Sequence, residues 1–270
     1  MYPVDYHMHT ICSPDGKMTI SQAAERAIRC GLQEICFTDH VDCFRWEDMA
    51  PRWTFDWLLL QKQYEEAQAK FGDRIKIKLG AELGDPAVSY ERTAAIMNAA
   101  PPLDYILGSI HMASARFDYL DLYFMKPHDI PYYRGIIEDY LDNMEELCRW
   151  GQFHILAHCN LPLRYIKNNA GVTMTFDDYM DRVEGIFRTI IAKGIGIELN
   201  TNKEAPEMLP GEKLLKFYRE LGGEIITLGS DAHKVEHIGR RTEDGMELLR
   251  QCGFRYITTF TAGKPEFRPL

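Results

Sequence analysis

The sequence predicts an α/β barrel formed as one domain, and three observations carry that expectation. Short β-rich runs alternate with longer stretches of helical periodicity along the whole chain. Residues with metal-binding chemistry follow one β-rich run after another instead of scattering. No Pro/Gly/Ser linker, charge block or low-complexity tract divides the 270 residues. Right-handed βα units in series give a parallel sheet, and seven of them without a break in composition predict a closed or nearly closed barrel.

In order, the β-rich runs are 3–7, 34–38, 75–81, 105–110, 153–157, 195–199 and 225–229, with 255–259 as a candidate eighth. Helical spacing falls at 20–30, 56–71, 90–99, 130–150, 176–193, 211–221 and 243–251. Ser21, Thr54 and Thr175 stand near three helix starts as candidate caps, and Gly31, Gly72, Gly194 and Gly222 lie just beyond four ends. Two longer excursions, 41–54 and 112–131, are expected to wall or cover an active site. Capping of the barrel core by Phe44, Trp46 and Trp53 is the alternative for the first.

Composition narrows the function. Apolar residues make up 46% and charged residues 26%, enough for a sizeable core. A net charge of -9 without a basic stripe argues against a nucleic-acid partner. The seven cysteines are odd in number and contain no C-x-x-C pair, so neither a disulfide framework nor a zinc ribbon is expected. The chain reaches Asp5 and His7 before any apolar signal-peptide core, and no segment approaches the roughly 18 apolar residues of a membrane span. A cytoplasmic protein with no membrane partner is expected.

In a βα barrel the chemistry sits at the C-terminal ends of the strands. Those ends carry His7 and His9, Asp39 and His40, Glu82, His111, His158, Glu198 and Asn200, and finally Asp231 and His233. The period of two in an extended strand puts His7 and His9 on one face. So many imidazoles and carboxylates on one rim would be costly without cations, because buried like charges repel and desolvated ones must be neutralised. Divalent ions remove that conflict. Imidazole and carboxylate donors suit Zn, Mn or Fe. His7, His9, Asp15, His40, Glu82, His111, His158, Asp231 and His233 are too many ligands for one ion, so two or three ions with a bridging carboxylate are expected.

His7-x-His9 with Asp15-Gly16, Thr38-Asp39-His40, Gly80-x-Glu82, Ser109-Ile110-His111, His158 and Ser230-Asp231-Ala232-His233 together resemble the motif series of the PHP (polymerase and histidinol phosphatase) superfamily. The resemblance implies a single PHP metal-dependent phosphatase domain over 1–270, a distorted seven-stranded barrel and a trinuclear site. By that analogy His7, His9, Glu82 and Asp231 hold one ion, Glu82, His111 and His158 a second, and Asp15, His40 and His233 the third. The stretches Gly196–Asn200 with Thr201, Leu228 to His233 and Gly263-Lys264-Pro265 are similar to the histidinol phosphatase branch. Asp15 stands where that branch often has His, and Asn160 where Asp commonly follows the strand-five His.

The chemistry follows from the ligands. A divalent cluster lowers the pKa of bound water from 15.7 toward roughly 7, giving a hydroxide nucleophile at neutral pH. No covalent nucleophile is then needed, and no P-loop, G-x-S-x-G or C-x5-R signature is present. The expected substrate is a small phosphorylated metabolite, with L-histidinol phosphate implied by the resemblance. Asp231, His233 and Arg164 are the expected catalytic residues. Arg164, Arg116 and Lys167 are candidates for the phosphate, Asp118 or Asp121 for the substrate ammonium, and Glu198 and Asn200 for orienting a ligand imidazole. His128, His154 and His237 have no assigned role. Three rivals stay open: a PHP phosphoesterase for phosphotyrosine, sugar phosphate or nucleotide, an amidohydrolase, and a metal-storing module.

Overall fold

Seven parallel strands pair in chain order: β1 (Val4–Asp5), β2 (Glu34–Phe37), β3 (Lys76–Gly84), β4 (Tyr105–Ser109), β5 (Ile155–Leu156), β6 (Gly196–Asn200) and β7 (Ile226–Gly229). This is a computed structural model that describes residues 2–202 and 207–270. The sheet curls until its edges meet: Tyr6 N donates to the Leu228 carbonyl at 2.9 Å, and Met8 bridges Ala232 in parallel. The result is the nearly closed barrel that the alternating pattern predicts.

Helices α1 (Ile20–Arg29), α2 (Trp57–Phe71), α3 (Tyr90–Asn98), α4 (Ile130–Trp150), α5 (Leu161–Ala170), α6 (Met180–Ala192), α7 (Glu212–Glu220) and α8 (Thr242–Gln251) join the strands. Six of the seven predicted helices match to within about two residues, and in the seventh a short 3-10 turn precedes α6. The caps differ. Thr19 closes a capping box with Gln22 at α1, and Asp56 accepts from Leu59 N at α2, so Ser21 and Thr54 lie beside the capping residue. Thr175 accepts from Asp177 N at the turn before α6. Gly31, Gly194 and Gly222 take positive φ, whereas Gly72 ends α2 at φ -64°.

Two elements differ from the expected pattern. The stretch after His158, where no helical run is predicted, forms a helix: α5 starts on Leu161 with Pro162 in its first turn, where a missing N–H costs nothing. The candidate eighth strand is not part of the barrel. β8 (Tyr256–Thr261) pairs antiparallel with β9 (Lys264–Pro269) across Ala262-Gly263, both at positive φ as a tight two-residue hairpin requires.

That hairpin closes the N-terminal mouth of the barrel. Phe260 packs 5.1 Å from the ring of Tyr105, the first residue of β4, and its N–H donates to Tyr6 Oη at 3.0 Å. Thr258 Oγ1 accepts from Ile226 N, the first residue of β7. His154 belongs to this floor, with Nδ1 accepting from Ile106 N and its ring stacked on Phe260. Among the described residues no helix is long and apolar enough to cross a membrane.

If the hairpin is the plug of the barrel, Phe260→Ala should lower the unfolding free energy by about 3–5 kcal/mol in urea denaturation. Phe267→Ala, on the exposed side of the same hairpin, should cost less than about 1 kcal/mol. Equal costs would contradict that role.

Candidate metal centre

Glu82 lies inside β3 on the side facing the C-terminal mouth, fully buried, and five imidazoles surround it. Its Oε2 is 3.0 Å from His40 Nδ1, 3.4 Å from His7 Nε2 and 3.5 Å from His9 Nε2. Its Oε1 is 3.2 Å from His158 Nε2 and 3.3 Å from His111 Nε2. Asp231 Oδ1 adds a second carboxylate, 3.7 Å from His7 Nε2 and 3.5 Å from His9 Nε2. At the outer edge Asp15 Oδ2 lies 3.0 Å from His233 Nε2, and Asp15 Oδ1 lies 3.9 Å from His40 Nε2. All nine residues that the sequence nominates as ligands therefore meet in one place.

The donors are arranged for cations. His7 Nε2, His9 Nε2 and Glu82 Oε2 are buried and make no hydrogen bond, a costly state unless something else satisfies them. Four triads bring one donor atom from each member within 4.8 Å: His7-His9-Asp231, His7-Glu82-His158, His40-Glu82-His111 and His9-His40-His233. These donors are imidazole nitrogens and carboxylate oxygens without a thiolate, a set that fits divalent metal ions.

The charges respond to one another. Burial opposes ionisation of Glu82, but His7, His111 and His40 outweigh it and hold its carboxyl well below the usual carboxylate range. Burial likewise opposes a charge on Asp231, and His7, His9 and His233 hold it ionised. Burial together with the neighbouring His233 and His40 drives His9 well below the ordinary imidazole value, as a neutral ligand requires.

Hydrogen bonds fix the imidazoles. Glu198 Oε1 is 2.6 Å from His7 Nδ1, so a proton held there turns the Nε2 lone pair toward the centre. The other Glu198 oxygen accepts from the His158 N–H at 3.0 Å. Ser13 Oγ lies 3.2 Å from His9 Nδ1, accepts from His40 N at 2.9 Å and donates to Asp39 at 2.7 Å. Asp39 also accepts from Thr10 N and Thr10 Oγ1, which ties the end of β1 to the end of β2. Asp85 accepts from the N–H groups of His111 and Met112, and Asp5 accepts from Ser230 N, Ser230 Oγ and Gly239 N. Asp5, Ser13 and Asp85 carry no predicted role from sequence. Asp5 ends β1 two residues before His7 and Asp85 directly follows β3, positions at which a carboxylate is itself a signal, whereas the Ser13 hydroxyl has none beyond its nearness to Asp15.

Backbone conformation serves the site as well. His158 has φ 26° and Asp231 has φ 54°, left-handed values that cost energy in residues other than glycine and turn both side chains inward.

Asn200 links this centre to the phosphate candidates. Its Oδ1 accepts from Arg164 Nη2 at 2.9 Å, and its Nδ2 lies 3.3 Å from Glu198 Oε2 and 3.4 Å from Asp231 Oδ2. Arg164 is buried with Nε making no hydrogen bond, and with Asn160 and Lys167 it borders a cleft of about 190 Å³. Lys167 pairs with Glu207 on the same cleft wall. Arg116 is not brought to the centre: it is exposed on the turn Ala115–Phe117 and its guanidinium lies over the Phe117 ring. Of the remaining histidines, His128 stacks on Tyr132, His154 lies in the floor and His237 sits on the turn Val235–His237. The excursion 41–54 supplies a wall, with Trp46 Nε1 donating to Asp42 at 2.7 Å and its ring 5.9 Å from that of His111.

A barrel with this ring of donors defines a class of metal-dependent hydrolase scaffold, and the relatives agree. The PHP domain matches residues 5–202, so the chain belongs to the PHP domain family. It is 29% identical over 258 residues to a probable histidinol-phosphatase of Clostridium acetobutylicum, covering 94% of this chain and 95% of the relative. It is 27% identical to the histidinol-phosphatase of Lactococcus lactis subsp. lactis, over 98% of this chain and 96% of that one. Among solved structures, L. lactis histidinol phosphate phosphatase, complexed with zinc, L-histidinol and phosphate, superposes with a TM-score of 0.81 at 25% identity, covering 98% and 99% of the two chains.

A Cβ on Gly229 would stand 2.3 Å from His7 Cβ and 2.6 Å from Glu198 Oε1. Gly229→Ala should therefore displace His7 and lower the zinc or manganese retained after loading and desalting, measured by elemental analysis. Gly185→Ala, in open space on α6, should retain wild-type metal and gain about 0.4–1 kcal/mol of stability. Equal metal retention in the two variants would contradict the geometry.

Proposed function

We propose that this protein is a divalent-metal-dependent phosphomonoesterase that hydrolyses L-histidinol phosphate to L-histidinol and phosphate. The observation that carries the proposal is the juxtaposition of the Glu82-centred donor ring with the buried Arg164. Similarity over nearly the whole chain to proteins named histidinol-phosphatase supports the choice of ester.

His7, His9, Glu82 and Asp231 are assigned to one ion, Glu82, His111 and His158 to a second, and Asp15, His40 and His233 to a third. Zn, Mn and Fe all suit these donors, and zinc accompanies the L. lactis relative. When bound, the ions supply an activated water and neutralise charge on the phosphoryl oxygens.

The chain's own residues supply the rest. Arg164 binds phosphoryl oxygens through Nε, while its Nη2 contact with Asn200 fixes the plane of the guanidinium. Lys167, paired with Glu207, borders the cleft beside Arg164. Asp231, held ionised by its histidine neighbours and steadied by Asn200, orients the attacking water by accepting a hydrogen bond from it. His233 positions Asp231 through Nδ1, 3.1 Å from the Asp231 carbonyl oxygen. Glu198 holds His7 in the required tautomer. Closure of the site by apolar strands and by Trp46 keeps bulk water from screening these charges.

Phosphate release by metal-loaded protein should be strong with histidinol phosphate, weaker with p-nitrophenyl phosphate and absent with a dinucleotide. Arg164→Ala should lower kcat/KM for histidinol phosphate about 10- to 100-fold with metal content unchanged. Turnover of the dinucleotide with none of histidinol phosphate would overturn the substrate, and wild-type kinetics for Arg164→Ala would overturn the phosphate assignment.

A further inference from the structure

The ester of histidinol carries a primary ammonium next to the carbon that bears the phosphate, and neither Arg164 nor Lys167 can accept it. A carboxylate at the mouth that no other cation engages both accepts from the ammonium and neutralises its charge. We infer that Asp121 is the acceptor for this ammonium, which makes the site selective for phosphate monoesters bearing a cationic amine close to the ester. The inference rests on the function proposed above.

Backbone geometry places Asp121 beside the donor ring. The segment after β4 doubles back as a small hairpin: Met112 bridges Asp121 in antiparallel fashion, Leu122 N donates to the His111 carbonyl at 2.9 Å, and Ala113 N donates to the Leu120 carbonyl at 2.9 Å. Asp121 is thereby held against a residue of the centre itself. The returning limb is pinned on its other side to α5, the helix that carries Arg164. Asn169 Nδ2 donates to the carbonyls of Tyr123 and Met125 at 2.9 Å and 3.0 Å, and the Tyr123 and Tyr165 rings meet at 5.7 Å. One braced mouth thus presents a guanidinium from α5 and a carboxylate from the hairpin.

The carboxylate is available. Asp121 Oδ1 caps the turn by accepting from Tyr123 N at 2.8 Å, and among the described residues no lysine or arginine pairs with it. Asp15, another carboxylate near the rim, is engaged by His233 and His40, and Glu207 beside Arg164 is paired with Lys167. Asp118, the alternative from sequence, is exposed on the outer turn at φ 53°. Burial pushes the Asp121 carboxyl up and the Tyr123 N–H pulls it down, with His111, Asp15 and His40 close enough for their charges to matter.

Asp121→Asn keeps the cap to Tyr123 and removes only the charge, so it isolates the interaction. KM for histidinol phosphate should rise about 10- to 100-fold with kcat nearly unchanged, the loss of one hydrogen-bonded ion contact. Imidazolylpropyl phosphate, which lacks the amine, should be hydrolysed equally by wild type and Asp121→Asn. Asp118→Asn should match wild type on both. Wild-type KM in Asp121→Asn, or equal losses on both esters, would overturn the inference while leaving the phosphatase reading intact. A wild type that fails to hydrolyse histidinol phosphate would overturn that reading and this inference with it.

Discussion

A carboxylate buried among five imidazoles is the constraint on which the rest of the structure turns. Glu82 is fully buried, and His7, His9, His40, His111 and His158 all approach it at 3.0–3.5 Å. Removing one charge from water costs several kcal/mol even after relaxation. A fold tolerates that cost when the group is shared by opposite charges, and the two oxygens of Glu82 face two different sets of nitrogens. The barrel is the frame that makes such sharing possible, because parallel strands deliver their ends to one rim.

The rim is held by a layer of carboxylates that do not themselves face the centre. Asp5 latches β1 to the turn after β7, Asp39 joins β1 to β2, Asp85 holds the turn after β4, and Glu198 braces His7 and His158 at once. Each accepts backbone or side-chain protons in the interior, which offsets the burial of its oxygens. Together they make the donor positions rigid enough to sustain left-handed backbone at His158 and Asp231. Opposite the site, the β8–β9 hairpin seals the floor with Phe260. Function and stability are thereby separated to the two ends of the barrel.

Much of this was legible in sequence because strand ends are where a βα barrel places its chemistry. His7, His40, Glu82, His111, His158 and Asp231 each follow or end an apolar run, so one topological rule collects them without any knowledge of distances. Elements whose signal is tertiary were not legible. α5 begins three residues after His158, leaving almost no loop to announce it, although Pro162 in the first turn is a helix-start signal. Residues 255–259 have the composition of a barrel strand, and only the positive-φ pair Ala262-Gly263 directs them into a hairpin. Arg116 follows His111 closely in sequence, yet the 3-10 turn swings it outward onto Phe117. Asp121 lies further along the chain and returns to His111 through a hairpin that periodicity does not reveal.

The central claim is that the two oxygens of Glu82 serve different ions, and anomalous diffraction at the zinc and manganese edges from metal-loaded crystals tests it most directly. The account predicts at least two peaks flanking the Glu82 carboxylate, one toward Oε2 with His7 and His9 and one toward Oε1 with His111 and His158. A single peak, or peaks that touch neither oxygen of Glu82, would contradict it.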